Sequence, residues 1–79
     1  MRSSIPPGPG TRRRAVWDYL VDCHRDRRLA RWKTALHCYN RGDTLHQANK
    51  KTFARALRKY ADWIGRGLYS LKKEYWTNA

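Results

Sequence analysis

The sequence predicts a single, mainly helical domain with three or four helices. A chain of 79 residues can bury one core and no more. Apolar residues recur at spacings of three and four along much of the chain, as in amphipathic helices. Hydrophobic residues make up 41% of the chain and include four Trp and five Tyr, which is more than disordered basic tails carry. We therefore expect a compact helical fold, to which a C-terminal β-hairpin can be added.

The N-terminal region differs in composition from the rest. Residues 1–10 contain all three prolines and two of the five glycines, so we expect a flexible arm over residues 1–11 and the domain over residues 12–79. No apolar run approaches the roughly 20 residues of a membrane span, and the N-terminus does not resemble a signal peptide. We expect a cytoplasmic or nucleoid-associated protein without a membrane span, in which Cys23 and Cys38 are reduced thiols.

The first two helices follow from apolar spacing. Val16, Leu20 and Cys23 form one stripe, which predicts a helix over 12–25. A second stripe, which includes Leu29 and Trp32, predicts a helix over 27–40. That helix would end at Asn40-Arg41-Gly42, a sequence that suits a left-handed C-terminus.

Two further helices are predicted in the middle of the chain. Thr44 to Gln47 fit a capping box, so we expect a short helix over 44–50 and a basic amphipathic helix over 51–63. The apolar spacing of the basic helix is given by Phe53, Leu57, Tyr60, Ala61 and Ile64. The aromatic residues expected in the core are Trp17, Trp32, Phe53, Tyr60 and Trp63.

The C-terminal segment after Gly65-Arg66-Gly67 fits two structures. In a helix, Leu68, Leu71 and Tyr75 would align; in a strand, Tyr69 and Leu71 would face one side of a hairpin. We favour the hairpin because two glycines around one arginine suit a tight exposed turn.

The charge predicts a polyanionic partner. The chain has 18 Lys and Arg against 6 Asp and Glu, a formal net charge of +12. Phosphate backbones favour such surfaces because each contact releases counterions. The acids are scattered and no glycine-rich phosphate loop occurs, so we expect neither an enzyme nor a small-molecule substrate.

Cofactors are not expected either. Cys23-His24 and His37-Cys38 supply the residue types of a structural zinc site. Adjacent residues on a helix point about 100 degrees apart, however, so neighbouring Cys and His do not easily converge on one ion. We predict no metal and no other cofactor.

A short helix, a turn, a basic helix and a Gly-Arg-Gly hairpin, in this order, resemble a winged helix-turn-helix DNA-binding domain. The resemblance covers roughly residues 27–76 and rests on patterning, without a diagnostic motif. It implies that the helix over 51–63 enters the major groove, with Thr52, Arg55, Arg58 and Lys59 toward the DNA. Lys50, Lys51, Arg66 and the N-terminal Arg12, Arg13 and Arg14 would contact phosphates or the minor groove. Lys72 and Lys73 are also expected to bind DNA.

The chemistry leaves three functions open. The first is a duplex-DNA-binding regulator or accessory factor of a compact genome such as a phage or plasmid. The second is an RNA or ribosome binder, favoured if Tyr69, Tyr75 and Trp76 face solvent beside Lys72 and Lys73. The third is a cationic inhibitor of an acidic protein or a membrane-active protein. Helix-turn-helix proteins often dimerise, so a homodimer also remains open.

Overall fold

Three α-helices and a three-stranded antiparallel sheet form the part of the chain that the structure describes. The computed structural model describes residues 6–40 and 50–78. The elements in chain order are α1 (Arg12–Arg25), β1 (Ala30–Arg31), α2 (Trp32–Tyr39), α3 (Lys50–Tyr60), β2 (Ala61–Gly65), β3 (Leu68–Leu71) and a 3-10 helix (Lys73–Asn78). The mainly helical prediction is correct at this level, and the sheet is larger than a single hairpin.

Helix α1 has the predicted bounds, 12–25. Thr11 caps its N-terminus, because the Thr11 hydroxyl accepts a hydrogen bond of 3.1 Å from the Arg14 amide. The helix buries one stripe, formed by Val16, Trp17, Leu20, Val21 and Cys23. It ends before Arg27, whose positive φ of 57° is incompatible with a continuing right-handed helix.

The prediction of a second helix over 27–40 was wrong at its start. Helix α2 begins only at Trp32, because Ala30 and Arg31 pair with β3 as an additional strand. Leu29 lies before that strand and is 43% exposed, so it does not belong to the apolar stripe of α2. The predicted C-terminal end of this helix, residue 40, was nearly correct, since α2 ends at Tyr39 with Asn40 at the C-cap.

Helix α3 is shorter at its C-terminus than the predicted helix over 51–63. The chain enters β2 directly after Tyr60, and Ala61 pairs with Leu71 across the sheet. Trp63 and Ile64, which were predicted to be buried on a helical stripe, are therefore 68% and 54% exposed. Apart from Lys50, which begins α3, the predicted helix over 44–50 lies outside the described residues.

The C-terminal segment is a hairpin followed by a short 3-10 helix, and the alternative helix through Leu68, Leu71 and Tyr75 does not form, because Leu68 and Leu71 lie in β3. β2 and β3 form the favoured hairpin around Arg66, and the 3-10 helix follows it. In the sheet the strand order is β1-β3-β2, so β3 is central and β2 is an edge strand. The register between β2 and β3 shifts between Trp63 and Gly65, so the pairing is irregular just before the turn.

The core is an aromatic cluster between the helices and the sheet. Trp17 packs edge-on against Tyr60 of α3 and Tyr75 of the 3-10 helix, at centroid distances of 5.6 and 5.2 Å. Phe53, which is fully buried, contacts Trp32 and Tyr39 of α2. Edge-to-face aromatic pairs stabilise beyond their area burial, by about 0.5 to 1.5 kcal/mol each. These contacts fix the orientation of α3, and hence of its opposite face.

Candidate nucleic-acid interface

The outer face of α3 carries the main group of predicted contact residues. Its buried positions, Phe53, Ala56, Leu57 and Tyr60, occupy one side of the helix. With 3.6 residues per turn, Lys51, Arg55 and Arg58 then fall in a row on the opposite side, separated by four and three residues. All three are exposed, and Thr52 and Lys59 flank the row and are exposed too. A rise of 1.5 Å per residue gives the row a length of about 10 Å.

The charge on α3 has a single sign. The helix contains Lys50, Lys51, Arg55, Arg58 and Lys59 and no acid. The ion pairs found between described residues, Arg14 with Asp18 and Arg28 with Asp26, both lie outside α3. Five exposed cations on eleven residues repel one another, and an anionic partner would relieve that repulsion. We call these five residues the basic face of α3.

The three N-terminal arginines form the first turn of α1. Arg14 donates from Nε to Asp18 and from Nη1 to the Pro7 carbonyl, at 3.0 and 3.1 Å, so its guanidinium already has protein partners. Arg12 is half-buried and Arg13 is exposed. Of the three, Arg13 is therefore the best placed for an external contact.

A shallow cavity joins the N-terminal segment to the basic face. Its volume is about 350 Å³, and its lining includes Pro7, Arg13, Lys59 and Tyr60. The Lys59 ammonium also lies 5.5 Å from the centroid of the Tyr60 ring, a cation–π distance. Two predicted contact residues that are far apart in sequence, Arg13 and Lys59, thus border one depression.

Arg66 occupies the tip of the hairpin, as the sequence predicted, and it is exposed. Its φ is 53°, a left-handed conformation that side-chain-bearing residues rarely adopt. The Gly67 carbonyl accepts a hydrogen bond of 2.8 Å from the Trp32 amide, which attaches the turn to the start of α2. The turn is consequently held in place against a helix.

Lys72 and Lys73 differ in their surroundings. Lys72 is half-buried beside the sheet, and its amide donates to the Tyr60 carbonyl at 3.0 Å. Lys73 is exposed, and its ammonium lies 5.9 Å from the ring centroid of Trp76. Of the two, Lys73 has the more accessible charge.

The aromatic residues near these lysines do not form an open stacking platform. Tyr75 is 1% exposed, and Tyr69 is half-buried against the core. Trp76 is 43% exposed, but His24 stacks on its ring at 5.1 Å and its indole N–H donates to the Leu71 carbonyl. The condition that would have favoured RNA, three solvent-facing aromatics, is thus met by Trp76 only in part.

Trp63 is the exposed aromatic that the sequence prediction missed. It lies opposite Tyr69 on edge strand β2, close to the Arg66 turn. Its spacing of three from Tyr60 suggested a buried helical position, and this spacing lost its meaning once the helix ended at Tyr60. The glycines at 65 and 67, which indicate a hairpin, were the signal that the preceding residues are in a strand.

The described cysteines and histidines do not form a metal-binding group. Within residues 6–40 and 50–78, no group of three or more His, Cys, Asp or Glu side chains is arranged to hold a metal ion. Both cysteines are free, and burial raises the pKa of the Cys38 thiol, with a smaller contribution from Cys23.

None of the helices in the described ranges combines the length and the apolar character that a bilayer span requires. Comparison of the chain with protein-family models, with curated proteins and with solved structures gave no match.

Proposed function

We propose that this protein binds nucleic acid, in the first place duplex DNA, through the basic face of α3, and that it acts by binding without catalysing a reaction. The observation that carries the proposal is the exposed row Lys51, Arg55 and Arg58 on a helix without a single acid. An α-helix fits the major groove, and arginine can bond guanine O6 and N7 with two hydrogen bonds.

The arrangement around α3 supports a helix-turn-helix type of binding. Helix α2 packs against α3 through Phe53, and a hairpin with an arginine at its tip follows α3 directly. In this proposal α3 is the recognition helix and the hairpin is the wing, with Arg66 near a phosphate or a minor groove. Arg13 and Lys59 would bind phosphate from the cavity that they border. A regulator or accessory factor is the role we propose for such a module.

The first experiment is a binding titration with a charge-reversed variant. Arg55→Glu with Arg58→Glu should abolish duplex binding, because it replaces two central cations by acids on an exposed surface. The thermal unfolding midpoint should stay close to that of the unmodified protein, since neither side chain is buried. Retained affinity of the folded variant would refute the assignment of the interface to α3.

A second candidate function, binding of single-stranded nucleic acid or RNA, is favoured by the 68% exposure of Trp63 near the Arg66 turn. Exposed aromatics beside cations stack on unpaired bases, with about 1 to 3 kcal/mol per base. Competition between duplex DNA and structured RNA at one salt concentration separates the two functions. If the protein binds duplex DNA, competing duplex should displace a labelled duplex more effectively than RNA does. If RNA is the better competitor, and Trp63→Ala removes this preference, the second function is favoured.

A further inference from the structure

A second group of cations surrounds a cavity between the hairpin turn and the start of α2. The cavity has a volume of about 620 Å³, and three basic residues from three different elements line it. Arg31 comes from β1, Lys33 from the first turn of α2, and Arg66 from the turn between β2 and β3. All three are exposed, and no acidic residue lines the cavity.

Backbone contacts determine the position of this cation group. Arg31 pairs with Leu68 in the sheet, and the Trp32 amide donates to the Gly67 carbonyl at 2.8 Å. The start of α2 and the hairpin turn are thereby held against each other, and a Cβ atom at Gly67 would lie 3.9 Å from that of Trp32. The three positive charges consequently face one space without being paired to an acid among the described residues.

The conformation of Arg66 is a separate observation. Its φ of 53° falls in the left-handed region, between two glycines that also have positive φ. Glycine would adopt this conformation without steric conflict, so an arginine here carries a conformational penalty. Residues held in such conformations occur often at ligand-binding positions. Because glycine would fit the backbone conformation better, the presence of an arginine at position 66 indicates a role for its side chain.

We infer that this cavity is a binding site for a phosphate group, held by Arg31, Lys33 and Arg66. A phosphate offers several acceptor oxygens, to which arginine guanidinium groups can donate two parallel hydrogen bonds, and lysine supplies a compact charge. The Thr34 hydroxyl also lines the cavity and can donate to a further oxygen. The site lies apart from the row on α3, and its assignment to a backbone phosphate of nucleic acid rests on the proposed function.

The turn provides an unusually clean variant. Arg66→Gly removes one cation and replaces it by the residue that the backbone conformation favours, so the unfolding midpoint should not fall. Arg27→Gly is the matched control, because Arg27 is also an exposed arginine with positive φ, at 57°, and does not line this cavity. Both variants lose one charge from the same kind of backbone position.

The experiment has two arms, with duplex DNA and with inorganic phosphate. Arg66→Gly should weaken duplex binding about tenfold and reduce the magnitude of the salt slope by about 0.9, the value for one phosphate. The duplex affinity of Arg27→Gly should stay within about twofold of that of the unmodified protein. Inorganic phosphate should shift the amide resonances of Thr34 and Gly67 in the unmodified protein and leave them unshifted in Arg66→Gly. Arg66→Lys should restore most of the salt slope.

The two arms separate failure of the site from failure of the proposed function. If the unmodified protein does not bind duplex while phosphate shifts these amides, nucleic-acid binding is wrong and the cavity takes a free phosphate. Equal duplex affinities of Arg66→Gly and Arg27→Gly, together with unshifted amides in phosphate, would overturn the site.

Discussion

Neutralising the centre of the basic face should change the salt dependence of binding by a calculable amount. Log K falls with log salt concentration by about 0.9 for each phosphate that the protein neutralises on duplex DNA. The basic face has five exposed cations without acidic partners among the described residues. One phosphate for each gives these five residues a contribution of about −4.5 to the slope, so that raising salt from about 50 to about 200 mM weakens binding about 500-fold through this face alone.

The double variant Arg55→Gln with Arg58→Gln should reduce the contribution of this face to about −2.7, which corresponds to a loss of about 40-fold over the same salt range. Fluorescence anisotropy with a labelled duplex at four or so salt concentrations measures the slope directly. The matched control is Arg25→Gln with Arg27→Gln, which removes the same net charge from two exposed arginines at and beyond the end of α1 that form no ion pair among the described residues. Equal slopes for the two double variants would refute a specific role of α3 and leave only a general effect of net charge.

Three further outcomes concern the framework that holds the basic face. Phe53→Ala should lower the free energy of unfolding by about 3 to 5 kcal/mol, because a fully buried ring between α2 and α3 is removed. Urea denaturation measures this loss. As a control, substitution of the exposed neighbour, Thr52→Ala, should change the free energy of unfolding by less than about 0.5 kcal/mol. Burial, with smaller contributions from Glu74 and Tyr60, raises the pKa of Tyr75. The folded state therefore retains the phenol proton at a pH where the unfolded state loses it. The free energy of unfolding should consequently fall as pH rises above about 10. Tyr75→Phe should fall less steeply over that range, and identical pH profiles would contradict the argument. Burial also raises the pKa of the Cys38 thiol. At mildly alkaline pH, iodoacetamide should therefore modify the native protein more slowly than it modifies the protein unfolded in urea. Equal rates would show that Cys38 is freely reactive.

Local sequence patterns were sufficient for the parts of the fold that depend on local interactions. Helix α1 could be bounded correctly because its apolar stripe and the proline- and glycine-rich segment before it are both local features of the sequence. The hairpin was favoured on the glycines around Arg66 alone, since turn geometry is also a local property. The cations on α3 were predicted to point outward for the same reason.

Non-local pairing explains what the sequence did not reveal. Ala30 and Arg31 are a strand only because β3 lies beside them, and two residues have no periodicity from which a strand could be predicted. Trp63 has the spacing of a buried helical residue and is exposed because β2 pairs with β3 instead of extending α3. The cavity that unites Arg31, Lys33 and Arg66 likewise depends on the contact between the turn and α2.

The proposed function requires that nucleic acid contacts the outer face of α3. Amide chemical-shift mapping of the isotopically labelled protein with a short duplex tests it without any substitution. We predict that the largest shifts occur along Lys51, Arg55 and Arg58, with further shifts at Arg13 and Arg66. Shifts confined to the end of α1 and the 3-10 helix, with the α3 resonances unmoved at saturation, would contradict it.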